Sequence, residues 1–134
     1  MRQSLADLCT LLQEQKVVLG NMLELAKQER QIIIAGQSDK LEDVIRLELK
    51  ELNKLGAIER KRLELQKNIA AELGLPEGEI TVTNIAEVSE PDEQDTIRAL
   101  QKELMPIIEE HAAVNMENRE LIKSHIDIRK QCLS

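Results

Sequence analysis

Residues 97–132 read IRALQKELMPIIEEHAAVNMENRELIKSHIDIRKQC, and two rows at 3-4 spacing run through them. One row is aliphatic throughout: Leu100, Ile107, Val114, Leu121 and Ile128. Its companion is Ile97, Leu104, His111, Asn118, His125 and Cys132, apolar at first and mostly polar afterwards. Apolar residues at heptad a and d positions drive helices together, whereas a polar a position costs stability and restricts register or partner. The pattern predicts a long C-terminal helix whose first half is buried permanently and whose second half is buried conditionally. Pro106 lies near the point of change. A proline inside a helix removes one backbone hydrogen bond and usually kinks it, so the distal half is expected to diverge.

The same spacing extends upstream. A first helix over about 3–35 has the seam Leu5, Leu8, Leu12, Gln15, Leu19, Met22, Ala26, Glu29 and Ile33. A flanking row of Leu11, Val18, Leu25 and Ile32 widens the stripe enough to touch two neighbours. Gln15 and Glu29 interrupt the seam and read as register-setting or rim positions. Gly36 suits a left-handed C-cap, and Ser38 or Asp39 suits the next N-cap. So short a link forces an antiparallel hairpin. A second helix over about 39–73 carries Leu41, Val44, Ile45, Leu49, Leu52, Leu55, Leu63 and Ile69, with a polar layer of Glu59, Arg62 and Gln66 expected to be partly exposed. Gly74, Leu75 and Pro76 end it. In the connection 74–90, the β-branched run has no partner strand, so a short helical turn capped by Thr83 is expected, with Ile85 and Val88 inward. The last helix opens at Pro91, a favourable first position, and runs to about 131. The expected fold is all-α: three long helices in an up-down-up, coiled-coil-like bundle, with a partly irregular connection, forming one domain over 1–134.

Composition narrows the function. The chain has no Phe, Tyr or Trp, which removes the usual platforms for stacking bases. The basic cluster Arg60-Lys61-Arg62 is flanked by Glu59 and Glu64, which disfavours nucleic acid. Of a net charge of −7, residues 76–110 hold ten acids against two bases, so the excess sits in the connection and the start of the last helix. A solvated face with acids at a helix N-terminus explains it most simply, and a basic partner is the sharper alternative. No apolar run approaches a membrane span, and Met1-Arg2-Gln3-Ser4 leads into an amphipathic pattern unlike a signal peptide. A cytoplasmic protein is expected.

No phosphate-binding loop, nucleophile elbow or zinc signature is present. His111 and His125 lie about 21 Å apart along one helix, too far to share a metal. Cys9 has no histidine on its own helix to act as base. Cys9 and Cys132 fall at opposite ends of an up-down-up arrangement, so two free thiols are expected. The chain reads as a non-enzyme needing no cofactor or metal.

Asn115-Met116-Glu117-Asn118-Arg119-Glu120-Leu121-Ile122 resembles the Asn-x-x-Asn-x-x-Leu-Leu pattern in the last helix of the FlgN family of flagellar export chaperones. The run Leu23 to Glu29 is similar to that family's leucine-plus-glutamate stretch before the first turn. Ser38 through Leu41, Lys50 to Leu55 and Glu59 to Arg62 resemble its second helix. Gly74-Leu75 followed by Thr83-Asn84-Ile85 matches its short connecting segment. Ile122 stands where leucine is more usual. The resemblance implies a cytoplasmic chaperone for hook–filament junction proteins. It would hold their amphipathic C-terminal segments before type III export and pass them to the export gate or export ATPase. It also implies partner contacts at Asn115, Asn118, Leu121 and Ile122, with Ile126 and Ile128 downstream. The competing reading is a scaffold coiled coil that homodimerises through the last helix.

Overall fold

The protein is described here by a computed structural model covering residues 2–76 and 80–133, with side chains described for 3–76 and 80–124. Among the described residues it is all-helical: α1 (Arg2–Ala35), α2 (Ser38–Leu73), α3 (Val82–Glu87) and α4 (Pro91–Leu133).

Two glycines place the breaks. Gly36 and Gly74 adopt φ of 69° and 70°, the left-handed region that a Cβ disfavours. After α1, the Gln37 amide returns to the Ile32 carbonyl at 3.0 Å. After α2, the Leu75 amide returns to the Ala70 carbonyl at 2.9 Å, closing the expected Schellman motif. The expected side-chain cap on α2 does not form. Ser38 is already in its first turn, and Gln37 at the cap position makes no side-chain cap bond. A link of only Gly36 and Gln37 leaves no room for a separate capping residue.

The connection holds a correction. Thr81, rather than Thr83, caps α3, with Oγ1 accepting from the Asn84 amide at 3.1 Å. Thr83 instead accepts from Gln101 Nε2 of α4 at 3.1 Å. Val82, Ile85 and Ala86 are buried, while Val88 is exposed because it follows the last helical turn. Glutamines pin this segment. Gln66 of α2 donates to the Ile80 carbonyl at 2.7 Å, and Gln94 of α4 donates to the Ala86 carbonyl at 2.9 Å. Gln66 is therefore only 2% exposed rather than part of an open polar layer. A loop carbonyl placed against the core needs a donor, and Gln66 supplies it.

α1 is the shared spine, since both extensive helix–helix interfaces belong to it, one with α2 and one with α4. Asn21 of α1 meets Glu51 of α2 at 3.5 Å. Lys16 meets Glu103, Lys27 meets Glu110 and Arg30 meets Glu117, so α4 runs parallel to α1. The main core draws on all four helices through Leu5, Leu8, Leu12, Leu55, Ile69, Ile85, Ile97 and Leu104. Each fully buried aliphatic contributes about 1.5–3 kcal/mol over its exposed state. A smaller cluster of Leu23, Ala26 and Val114 lies farther along α1, with Ile107 packed against both. On α2, Val44 and Leu55 are buried, but Ile45, Leu49, Leu52 and Leu63 are exposed on a flank that α1 does not cover.

Candidate partner-binding site on distal α4

Distal α4 stays on α1 well beyond Pro106, which lies exposed inside a continuous helix. Val114 and Asn118 are buried, and His111, Asn115 and Leu121 are half-buried. The expected divergence after the proline is thus not seen among the described side chains as far as Leu121. The cause is legible in α1. Ala26, fully buried, lets α4 approach closely, and Asn118 Nδ2 donates to the Ala26 carbonyl at 2.9 Å and to Glu29 Oε1 at 3.0 Å. The polar half of the seam is seated by hydrogen bonds where the first half is seated by aliphatic packing.

One flank of α4 carries acids at heptad steps, each matched by a base on α1. Lys16 Nζ lies 2.9 Å from Glu103, Lys27 Nζ 3.2 Å from Glu110, and Arg30 Nη1 3.0 Å from Glu117. Such exposed pairs are each worth less than about 1 kcal/mol, but three in register favour one alignment of the helices.

Beyond the last pair lies an open groove of about 630 Å³ between α1 and α4. Its apolar lining is Ile34, Ala113, Met116 and Leu121, and Arg30, Glu117, Glu120 and Ser124 edge it. Ile34 is 59% exposed and Met116 65%, unusually high for large apolar side chains facing a cleft.

Of the residues singled out from the sequence, Leu121 lines this groove. Asn118 faces inward, 2% exposed, and its amide nitrogen serves α1. Asn115 Nδ2 lies 3.3 Å from His111 Nε2. Burial lowers the His111 pKa, favouring the neutral ring that can accept this bond. Ile122 is exposed on the surface. The side chains of Ile126 and Ile128, like those of His125 and Cys132, lie outside the described residues. The sequence reading missed Ile34 and Met116. The signal was available in principle, because both are large apolar residues just off the regular rows of helices already filled on their inner faces.

Little here is arranged for catalysis. Cys9 is a free thiol, and burial together with the Glu93 carboxylate pushes its pKa up, opposite to what activates a nucleophile. Among the described residues no group of three or more His, Cys, Asp or Glu is placed to hold a metal ion, and no described helix is long and apolar enough to cross a membrane.

The described residues are all helical, as the sequence resemblance anticipates, and comparison with known families bears on the family itself. The family described as FlgN protein matches residues 1–134. The chain belongs to the FlgN family. FlgN proteins are chaperones of flagellar biogenesis, and that general role extends to this member. No curated protein and no solved structure matches this FlgN-family chain.

Proposed function

We propose that this FlgN-family protein is a cytoplasmic export chaperone for hook–filament junction proteins. It binds their C-terminal helical segments, prevents early assembly, and delivers them to the flagellar type III export apparatus through its gate or ATPase. The observation that carries this reading is the apolar groove beside Leu121 in a chain matched to the family over 1–134. An amphipathic helix docks in such a groove through anchors at i, i+3, i+4 and i+7. Ile34, Met116 and Leu121 offer the apolar contacts, Ile122 continues the exposed surface, and the charges of Arg30, Glu117 and Glu120 orient the client. Asn118 acts by holding α4 in place, and Asn115 by fixing the half-buried His111 beside it. The family resemblance also implies contacts from Ile126 and Ile128, whose side chains lie outside the described residues. Ordering a disordered tail costs about 2–5 kcal/mol of the contact energy, which keeps the complex releasable.

Titrating junction-protein C-terminal segments into the purified protein tests this. A saturable complex is expected, and Leu121→Asp is expected to weaken it at least about tenfold, a loss of about 1.4 kcal/mol or more. Far-ultraviolet circular dichroism of that variant should stay helical. Wild-type affinity in Leu121→Asp would remove the groove from the site. The exposure of Met116 and Ile122 also favours a second reading, self-association through distal α4. Light scattering that shows a concentration-independent dimer, with no tail binding, would support that reading instead.

A further inference from the structure

Each of the three long helices has a single helix-weakening residue in its interior. The other glycines and prolines stand at helix ends or in the connection, but Gly20 lies inside α1, Gly56 inside α2 and Pro106 inside α4. The fold brings these three to one level. Val17 and Val18 line the same groove as Lys54, Ala57 and Ile58, so Gly56 is level with Val17 and Val18. Lys16 pairs with Glu103 and α4 runs parallel to α1, so Pro106, a little farther on, is level with about residue 19. Gly20 is the next residue along. The three positions fall within about one helical turn, ~5 Å, along the bundle.

Packing does not call for the glycines. Neither has the left-handed φ of Gly36 and Gly74. A Cβ on Gly20 would meet nothing of the neighbouring helices within 4 Å. A Cβ on Gly56 would meet only Arg60 Nη1 at 3.5 Å, an ordinary contact with a flexible tip. Alanine fits at both positions, yet glycine in a helix interior is disfavoured against alanine by roughly four- to fivefold. Pro106 has no N–H to give the Lys102 carbonyl, so the α4 ladder lacks a bond there. The side-chain contacts divide at the same level. On α1 the main core ends at Met22 and the smaller cluster starts at Leu23, with half-buried Ile107 of α4 packed against both. The ion pairs between α1 and α4 flank the level, Lys16 with Glu103 on one side, Lys27 with Glu110 and Arg30 with Glu117 on the other.

We propose that Gly20, Gly56 and Pro106 form one hinge across the bundle, about which the distal segment, with its groove between α1 and α4, swings relative to the main core. Prolines and glycines are where helices bend. A weak point in one helix alone would be splinted by the other two. Three at one level leave no splint, and Ile107 sits at the pivot. The main core and α3 lie on one side of it, and Ala26, Asn118 and the groove on the other. The hinge belongs to the chain without a client, so it stands or falls apart from the chaperone reading.

The test measures residual dipolar couplings of backbone amides in the full chain, aligned in a stretched polyacrylamide gel. Wild type is compared with the triple variant Gly20→Ala, Gly56→Ala, Pro106→Ala. In wild type, amides at 24–34, 40–50 and 110–121 should fit an alignment tensor of smaller magnitude than amides at 5–15, 60–72 and 92–102. In the triple variant one tensor should fit both sets. Urea unfolding of Gly20→Ala and of Gly56→Ala should each give an unfolding constant lower by up to roughly fivefold. One tensor for both sets in wild type, or a difference that persists unchanged in the triple variant, would overturn the hinge. A higher unfolding constant or a failure to fold in either glycine variant would mean that packing requires the glycines, and would overturn it too.

Discussion

The two ends of α1 are held by different means. At the N-terminal end α3 closes the space between α2 and α4, and Leu8, Ile69, Ile85 and Ile97 are almost fully buried in one aliphatic core. Farther along, no short helix fills that role. The clustered buried set shrinks to Leu23, Ala26 and Val114, with Ile33 and Val44 buried apart from it, and Asn118 bonds α4 to Glu29 and the Ala26 carbonyl of α1. The same 3-4 spacing therefore gives a dry core where a fourth element is present and a partly hydrogen-bonded contact where it is absent. Regions with few buried apolar contacts open locally at low free-energy cost, and a binding surface that must capture and release is suited to such a region.

The contrast can be broken by substitution. Ile97→Ala should have the largest effect, lowering global stability by about 2–5 kcal/mol in urea unfolding, because a fully buried side chain leaves a cavity among four helices. Asn118→Ala should cost less, about 1–3 kcal/mol, through the lost donor to Glu29 and the Ala26 carbonyl. Its loss should appear mainly as faster amide exchange in α4 near residue 118 rather than across the core. If Asn118→Ala destabilised the whole molecule as much as Ile97→Ala, the distinction between the ends would fail. The smallest effect is expected from Lys16→Ala and Arg30→Ala, each under about 1 kcal/mol and vanishing in high salt. Equal values at the two positions would show that surface ion pairs do not create the difference.

Much of this architecture is legible in the residues. The breaks follow from Gly36 and from Gly74-Leu75-Pro76, because a left-handed cap and a proline act locally. The start of α4 at Pro91 and a short helix in the connection follow in the same way. The placement of Thr81 rather than Thr83 as the cap was not legible, since both threonines precede a helix-compatible run and docking against Gln101 selects between them. The candidate site was legible only in part. Leu121 lines the groove, which its row did not foretell, whereas Asn118 turned inward because Ala26 and Glu29 offered acceptors that no inspection of α4 alone could reveal.

By itself, the sequence determined an aliphatic helical protein, the positions of its turns and the acidic bias of residues 76–110, all consequences of local backbone preference and composition. Tertiary structure decided which apolar rows are covered. On α2, Ile45, Leu49 and Leu52 are as apolar as Val44 and Leu55, yet the first three are exposed and the other two buried. Periodicity fixes only the face of a helix on which a residue lies. Burial depends on what a second helix brings against that face.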